Sequence, residues 1–447
     1  MIISSAIPRR SDNAENLPHV WIIKAGEPLP IDASVRPLRG AAVAKTLAAR
    51  GADVTLWAST FSHQTKHHVF SEQTEMKLGP GLTLIALHGP AYSANVSAAR
   101  FRNHRAEAKA FLREAARRPR PDIIVAAMPT LDLAEAAVAF GKANDVPVII
   151  DIRDLWPDAL LFRLPRLLRG PARLALVPFY RQLRRTMRGA SALFAISDGM
   201  LEWGLGFAAR PRADADHVFR SAYRPAEIDA EAERRALDFW RENNILVDPR
   251  PHIAVYAGTL THRAGHRLLD VIKRFRSNGS DLVNWRLVIC GAGPLLADLQ
   301  SASAGDDRIV FPGWLNSPEL SVILQHGDVG LLPYPNEPDL LQACPNKFAE
   351  YLCHSLPVAS LLDGEVGRMI RETGCGWVCN DAEAIIEVFR HQVPQQDRLR
   401  EMRCAARTLF SQSFGGDQVF DAYADCVETI AATPTSARRS HIHNILM

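Results

Sequence analysis

Cys344-Pro345-Asn346-Lys347-Phe348-Ala349-Glu350-Tyr351-Leu352-Cys353-His354-Ser355-Leu356-Pro357-Val358 carries the clearest structural signal in the chain. It predicts a short helix running into a buried strand. Pro345 suits a first helical position, where the missing N–H would have no partner in any case. Phe348, Tyr351 and Leu352 share a face at i, i+3 and i+4, while Asn346 and Glu350 lie a turn apart on another face and Lys347 adjoins Glu350. Taken alone, Glu350 reads as a solvated helix residue paired with Lys347, an interaction of about 0.3–0.5 kcal/mol. The following Leu356-Pro-Val-Ala-Ser-Leu-Leu changes that reading. It has the apolar continuity of a parallel strand, and helix N-termini beside such strands are where ligands bind.

Working outward, strands at Ile253-Ala-Val-Tyr-Ala, Trp285-Arg-Leu-Val-Ile-Cys, Arg308-Ile-Val-Phe and Val329-Gly-Leu-Leu-Pro alternate with helices near 268–276 and up to 302. The first half repeats the pattern. His19-Val-Trp-Ile-Ile-Lys, Ala52 to Ala58, Leu82 to Leu87, Pro121 to Ala127, Val146 to Ile152 and Ser191 to Ser197 read as strands, with helices at about 38–50, 98–116 and 131–144. Alternation at this spacing implies an α/β fold of two tandem Rossmann-like doubly wound domains, with a cleft between their strand C-terminal ends. The expected divisions are residues 1–225, residues 226–410, a helix over 411–431 packing back toward the first domain, and a disordered tail over 432–447.

A chain of 447 residues with 47 % hydrophobic and 23 % charged residues can bury a large core without staples. Its formal charge of +3 gives no bulk attraction for nucleic acid, which is excluded as a partner. The seven Cys form no paired zinc pattern and read as free thiols of a reducing cytosol. No apolar run approaches the roughly 20 residues of a spanning helix, and the N-terminus lacks a secretory signal, so a cytoplasmic location is expected. From Ala159 to Ser197 there is no acidic residue, whereas eight Arg between Arg163 and Arg188 interleave with Leu, Phe, Tyr and Val. Residues 162–189 are therefore a candidate for docking on an anionic membrane surface, set against the plainer reading of ordinary domain helices rich in Arg.

Several smaller patterns carry less information. Gly291-x-Gly293 follows a strand and precedes a helix, but position 296 is Leu where a dinucleotide fingerprint has its third Gly. His63, His67 and His68, with His88 and His104, lack a carboxylate or Cys at metal-binding spacing, so no metal site is expected. No nucleophile elbow or Walker loop is present. The long loop after the first strand carries Gly26, Glu27, Arg36 and Arg39, unusual chemistry for a connector.

With these residues in hand, the second half resembles the donor-binding domain of GT-B retaining glycosyltransferases of family four. The segments that carry the likeness are Tyr256-Ala-Gly-Thr-Leu, Gly291-Ala-Gly-Pro-Leu, Val310-Phe-Pro-Gly-Trp-Leu, Asp328-Val-Gly-Leu-Leu-Pro-Tyr and Pro345-Asn-Lys-Phe-Ala-Glu-Tyr. The first half is similar to a bacterial branch used in surface polysaccharide assembly, through Arg39-Gly40, Leu47 to His63, Asn95-Val-Ser and Asp151-Ile-Arg-Asp-Leu-Trp-Pro-Asp. The resemblance implies a nucleotide-sugar donor, a saccharide or lipid-linked acceptor, no resident cofactor and no metal. It puts Glu350 on the ribose hydroxyls and Gln342 where the family has a first Glu. Gly258, Thr259, Gly291, Gly293 and Asn346 would border the donor. Thr259 stands where the family places its diphosphate-binding Arg, which makes Arg263 and Lys347 the substitute phosphate partners. Arg153 and Asp154 stand where many members carry a catalytic His, and Gly26, Glu27, Arg36 and Arg39 would border the acceptor. A nucleotide-sugar 2-epimerase of the same architecture and a non-enzymatic scaffold that has lost donor chemistry remain as alternatives.

Overall fold

The computed structural model describes residues 17–31, 37–162 and 164–433, without the side chain of Arg166. Two compact units divide the chain: one runs to Phe219 and resumes at Gln418, and the other is Arg220–Asp417.

The first unit contains β1 (His19–Ile23), α1 (Arg39–Ala49), β2 (Asp53–Ser59), β3 (Thr74–Gly79), β4 (Leu82–Leu87), α2 (Ala98–Ala115), β5 (Ile123–Met128), α3 (Leu131–Asn144) and β6 (Val148–Ile152). It continues through α4 (Asp158–Phe162), α5 (Arg169–Ala175), α6 (Val177–Gly189), β7 (Ala192–Ala195), α7 (Asp198–Ala208) and β8 (His217–Val218). Its sheet has the order β3-β4-β2-β1-β5-β6-β7-β8, parallel except for β3 against β4. The expected strands are present, but the Ser191 strand does not close the sheet, because β8 pairs beyond β7. Neither β3, polar and antiparallel, nor the two-residue β8 carries the apolar run that marks a strand in sequence. Trp21, Trp57, Phe111 and Phe140 form the aromatic centre of this core, with Trp57 and Phe111 centroids 4.9 Å apart.

The second unit contains α8 (Ala230–Glu242), β9 (His252–Ala257), α9 (His262–Ser277), β10 (Trp285–Cys290), α10 (Leu296–Ser303), β11 (Ile309–Gly313), α11 (Ser317–His326), β12 (Val329–Leu332) and α12 (Pro338–Leu341). It ends with α13 (Asn346–Cys353), β13 (Val358–Ser360), α14 (Glu365–Thr373), β14 (Gly376–Val378), α15 (Ala382–Glu387) and α16 (Gln396–Ser413). The final helix α17 (Gly416–Ala432) belongs from Gln418 to the first unit, where Tyr423 packs on Phe194 and Phe219. The sheet order β11-β10-β9-β12-β13-β14, all parallel, is the doubly wound arrangement, reversing between β9 and β12. Ile253, Val255 and Ala257 of β9 feed one core while Ala254 and Tyr256 feed the other, as a strand covered on both faces requires.

The opening helix is α13, and its boundary corrects the sequence reading by one residue. Pro345 has φ −60° and ψ 140°, so it is the N-cap and Asn346 is the first helical residue. Phe348, Tyr351 and Leu352 are fully buried as their spacing requires. Tyr351 Oη accepts from Ala257 N at 3.0 Å and donates to Leu331 O at 3.3 Å, fixing the helix to β9 and β12. Its ring lies where a Cβ on Gly330 would come within 2.6 Å, so position 330 has room only for glycine. Tyr351→Phe leaves a buried N–H and a carbonyl without this partner and is expected to lower stability by about 1–3 kcal/mol in urea unfolding.

Candidate active site

In the second unit the residues singled out from sequence gather at the C-terminal ends of β9, β10 and β12. Gly258 and Gly291 both have φ +136° and Gly293 has φ +155°, values that exclude ordinary side chains. A Cβ on Gly291 would sit 2.1 Å from Gly258 O, and one on Gly293 would sit 2.6 Å from Leu260 O. These glycines therefore let two loops close on each other. The loops are knitted by Gly258 N to Cys290 O, Leu260 N to Ala292 O and Gly291 N to Gly313 O, at 2.7–2.9 Å. Those three N–H groups are consumed in the scaffold.

Lys347, in the first turn of α13, reaches back over this scaffold. A Cβ on Gly258 would meet Lys347 Nζ at 2.6 Å, and Nζ donates to Tyr256 Oη at 3.0 Å. The ammonium lies 4.2 Å from the Tyr256 ring centroid and 5.3 Å from that of Tyr334. Burial lowers the Lys347 pKa to about 8, and Glu350 only partly offsets this. Glu350 is half-buried, and its charge acts on both Lys347 and the buried Cys290 thiol. The solvated reading of Glu350 is thereby replaced: its carboxylate belongs to the strand-end cluster. Tyr256 Oη in turn donates to Thr259 O at 3.0 Å.

Arg263 is placed differently. Its guanidinium is clamped by Glu337 and by both oxygens of Asp339, the latter at 2.8 Å, which neutralises it locally. Gln342, the C-cap of α12, has a buried Oε1 with no hydrogen-bond partner among the described residues. Asn346 is exposed at the start of α13.

In the first unit, Asp151 near the end of β6 is fully buried. Arg153 approaches it through Nε and Nη2, both at 2.8 Å, and Arg39 through Nε at 3.2 Å. Burial would raise the Asp151 carboxyl, but Arg153 and Arg39 outweigh it and hold the group below its ordinary range. Arg153 also binds Glu27 Oε1, while Glu27 Oε2 accepts from Gly40 N at 3.1 Å. Because Leu38 gives α1 no side-chain cap, Glu27 acts as a remote one. Arg39 further donates to Phe219 O at 2.6 Å and lies over the Tyr423 ring. Thus Glu27, Arg39 and Arg153 form one ion cluster around Asp151, whose role the sequence did not reveal. Asp154 and Gly26 instead line a cavity with Lys24, and Arg36 lies outside the described residues. Lys24 was missed because its burial, which lowers its pKa to about 8, leaves no mark in the sequence.

Among the described residues no group of three or more His, Cys, Asp or Glu is placed to hold a metal ion. His68 stacks on His88 at 4.6 Å, and Thr60 Oγ1 bonds both rings, so these histidines have structural partners.

Two family models match the chain: "Glycosyl transferases group 1" over residues 251–392 and "Glycosyl transferase 4-like domain" over residues 40–218. No protein of curated function matches. Among solved structures, sucrose-phosphate synthase from Thermosynechococcus elongatus is similar at TM-score 0.68 and 13 % identity, covering 93 % of this chain and 99 % of that one. Anabaena HepE in complex with UDP has TM-score 0.58 and 12 % identity, covering 92 % and 100 %. WaaG, a glycosyltransferase involved in lipopolysaccharide biosynthesis, has TM-score 0.58 and 14 % identity, covering 91 % and 99 %. At these identities the structures establish a shared GT-B fold.

The ion cluster gives a direct expectation. Asp151→Asn removes the charge that Arg39 and Arg153 share, leaving Arg153 to Glu27, and should cost about 3–5 kcal/mol in chemical denaturation, whereas Arg185→Gln at an exposed position of α6 should change stability by less than about 0.5 kcal/mol.

Proposed function

This chain belongs to the GT-B glycosyltransferases of the family-four type, and on that premise we propose that it transfers a sugar from a nucleoside-diphosphate sugar to a saccharide or lipid-linked acceptor, with retention, in cell-surface polysaccharide synthesis. The observation that carries the donor side is Lys347, a half-buried ammonium held over Gly258 at the point where the second sheet reverses. Burial without a full counter-charge disfavours its protonated form, and a diphosphate would supply that charge. Arg263 is already neutralised by Glu337 and Asp339, so Lys347 is the better diphosphate partner. Glu350, one turn on, would accept from the ribose hydroxyls. The buried Gln342 Oε1 would accept from a hydroxyl of the donor sugar, completing its hydrogen bonding.

The chemical task is to stabilise an oxocarbenium-like centre and the charge on the departing diphosphate. Lys347 would meet the second demand without a metal ion. In the first unit, the cavity lined by Gly26 and Asp154 would take the acceptor, and Arg153 is a positioning residue that holds the β1 loop through Glu27. The similar structure with bound UDP and the one named for lipopolysaccharide biosynthesis support the choice of donor and pathway class.

A peripheral membrane role is part of the proposal. Among the described residues no helix is long and apolar enough to cross a membrane. The α5 region nevertheless exposes Leu167 at 91 %, Leu168 at 54 % and Leu174 at 76 %, and α5 buries none of its residues. Arg173, Arg181, Arg184, Arg185 and Arg188 are exposed beside them in sequence, a composition suited to an anionic lipid surface.

Three measurements test these assignments. In calorimetric titration Glu350→Ala should weaken binding of uridine and guanosine diphosphates by about tenfold or more, and parent-like affinity for both would refute its placement. Lys347 has its folded pKa lowered to about 8, so the free protein loses this proton above that value, whereas a bound diphosphate would keep the ammonium protonated. Affinity should therefore be level below about pH 8 and fall by up to about tenfold per unit above it, and Lys347→Arg should flatten the profile. For the membrane, flotation should recover the protein with anionic but not neutral vesicles, and Leu167→Asp with Leu174→Asp should reduce that recovery. Equal recovery with both vesicle types would count against docking.

A further inference from the structure

The first unit holds a cavity of about 270 Å³ where β1, β2 and β5 end. It lies at the switch point of that sheet, since the strand order reverses between β1 and β5. The volume has room for one hexose ring and not for a chain of sugars. Asn95, His104 and Asp154 offer polar groups in its wall, and Phe61, Tyr92 and Trp156 offer aromatic faces of the kind that pack on a sugar ring.

What adjoins this cavity is apolar. Val96 and Leu160 belong to its lining, the first 50 % exposed and the second half-buried. From Trp156 a row of aromatic rings leads away. Its centroid lies 6.0 Å from that of Phe101 in α2, and Phe101 lies 5.2 Å from Phe179 in α6. All three rings are half-buried, so each still meets solvent. Phe179 stands in the first turn of α6, directly after α5, which buries none of its side chains and exposes Leu174. A helix of seven residues with nothing buried has little to hold it in water, so α5 is suited to a surface outside the chain.

The strip therefore runs from the cavity to α5 across segments far apart in sequence. A glycan leaving the cavity would need hydrogen-bonding groups along this path, and it would meet aromatic and aliphatic carbon instead. The setting is also basic, with eight Arg between Arg163 and Arg188 and no acidic residue from Ala159 to Ser197. Apolar surface in a one-signed basic setting suits a hydrocarbon chain joined to its sugar through phosphate better than it suits a protein face.

We propose that this strip carries the hydrocarbon chain of a lipid-linked acceptor whose single sugar sits in the cavity. The acceptor is then a lipid-linked monosaccharide and the product a lipid-linked disaccharide. A reaction that places one sugar on the lipid must precede this one. The inference deepens the acceptor side of the glycosyl transfer proposed above and rests on it.

The test uses soluble amphiphiles below their micelle concentrations, so that docking on vesicles plays no part. Methyl and octyl glucosides, and methyl and octyl galactosides, are titrated into the full chain by ligand-observed NMR. For at least one of the two sugars the octyl glycoside should bind about tenfold or more tightly than its methyl counterpart, a gain that burying about two CH₂ groups supplies. Val96→Ser and Phe179→Ser should each remove most of that gain and leave the methyl glycosides unchanged. Val96 is an exposed loop position, so its variant decides the matter should Phe179→Ser lower the unfolding midpoint. Val283→Ser, at an apolar position 63 % exposed in the second unit, should alter nothing. The inference is overturned if the chain adds nothing for either sugar, if the gain survives Val96→Ser, or if Val283→Ser removes it. Methyl glycosides that bind without any gain from the octyl chain would sink the strip alone. Failure of all four probes to bind would sink the acceptor cavity with it.

Discussion

A carboxylate with no solvent exposure, Asp151, stays charged because Arg153 and Arg39 reach it from two directions. Much of the first unit is tied to that contact. Arg153 carries the tie to Glu27 in the β1 loop, Glu27 carries it to the N-terminus of α1, and Arg39 carries it to Phe219 O and Tyr423. A loop that would otherwise be held only by its ends is thereby fixed at the strand termini. Burying such charges is costly, so the arrangement is better understood as specifying loop position than as adding stability.

The second unit solves a related problem with backbone. Three glycines in the left-handed half of conformational space bring the loops after β9 and β10 within reach of each other, and their N–H groups bond one loop to the next. The ammonium of Lys347 stands over this platform, and the aromatic rings of Tyr256 and Tyr334 lie beneath or beside it. Aromatic faces tolerate a cation without neutralising it, which leaves Lys347 able to meet an anion. Arg263 illustrates the opposite case, since Glu337 and Asp339 satisfy it within the unit.

Much of the fold was legible because it rests on periodicity. Leu131–Asn144 was expected and found with the same ends, and α13 buries the three residues its spacing selected. What escaped were β3, whose exposed edge is polar, the two-residue β8 and the three-residue β14, together with the ten-residue α11 and with helices α8, α14 and α16, whose apolar faces are interrupted by many charged residues. Pro345 shifted by one residue because a fixed φ suits an N-cap in extended conformation as well as a first turn. The candidate site was legible only where a motif marked it. Glu350 and Lys347 stood out, but Lys24 looked like any charged residue at a strand's end, and its burial comes from elements distant in sequence.

Local sequence patterns were enough to identify a tandem α/β chain, the helix that runs into β13, and the glycines its turns need. Those properties follow from local patterns of apolar spacing and chain stiffness. Only the tertiary structure decided how the charges pair: that Arg153 serves Asp151 and Glu27, that Arg263 is neutralised, and that Lys347 is not. Charge pairing depends on which residues meet across strands and on how much water each meeting place retains. Neither quantity is written in the order of residues along the chain.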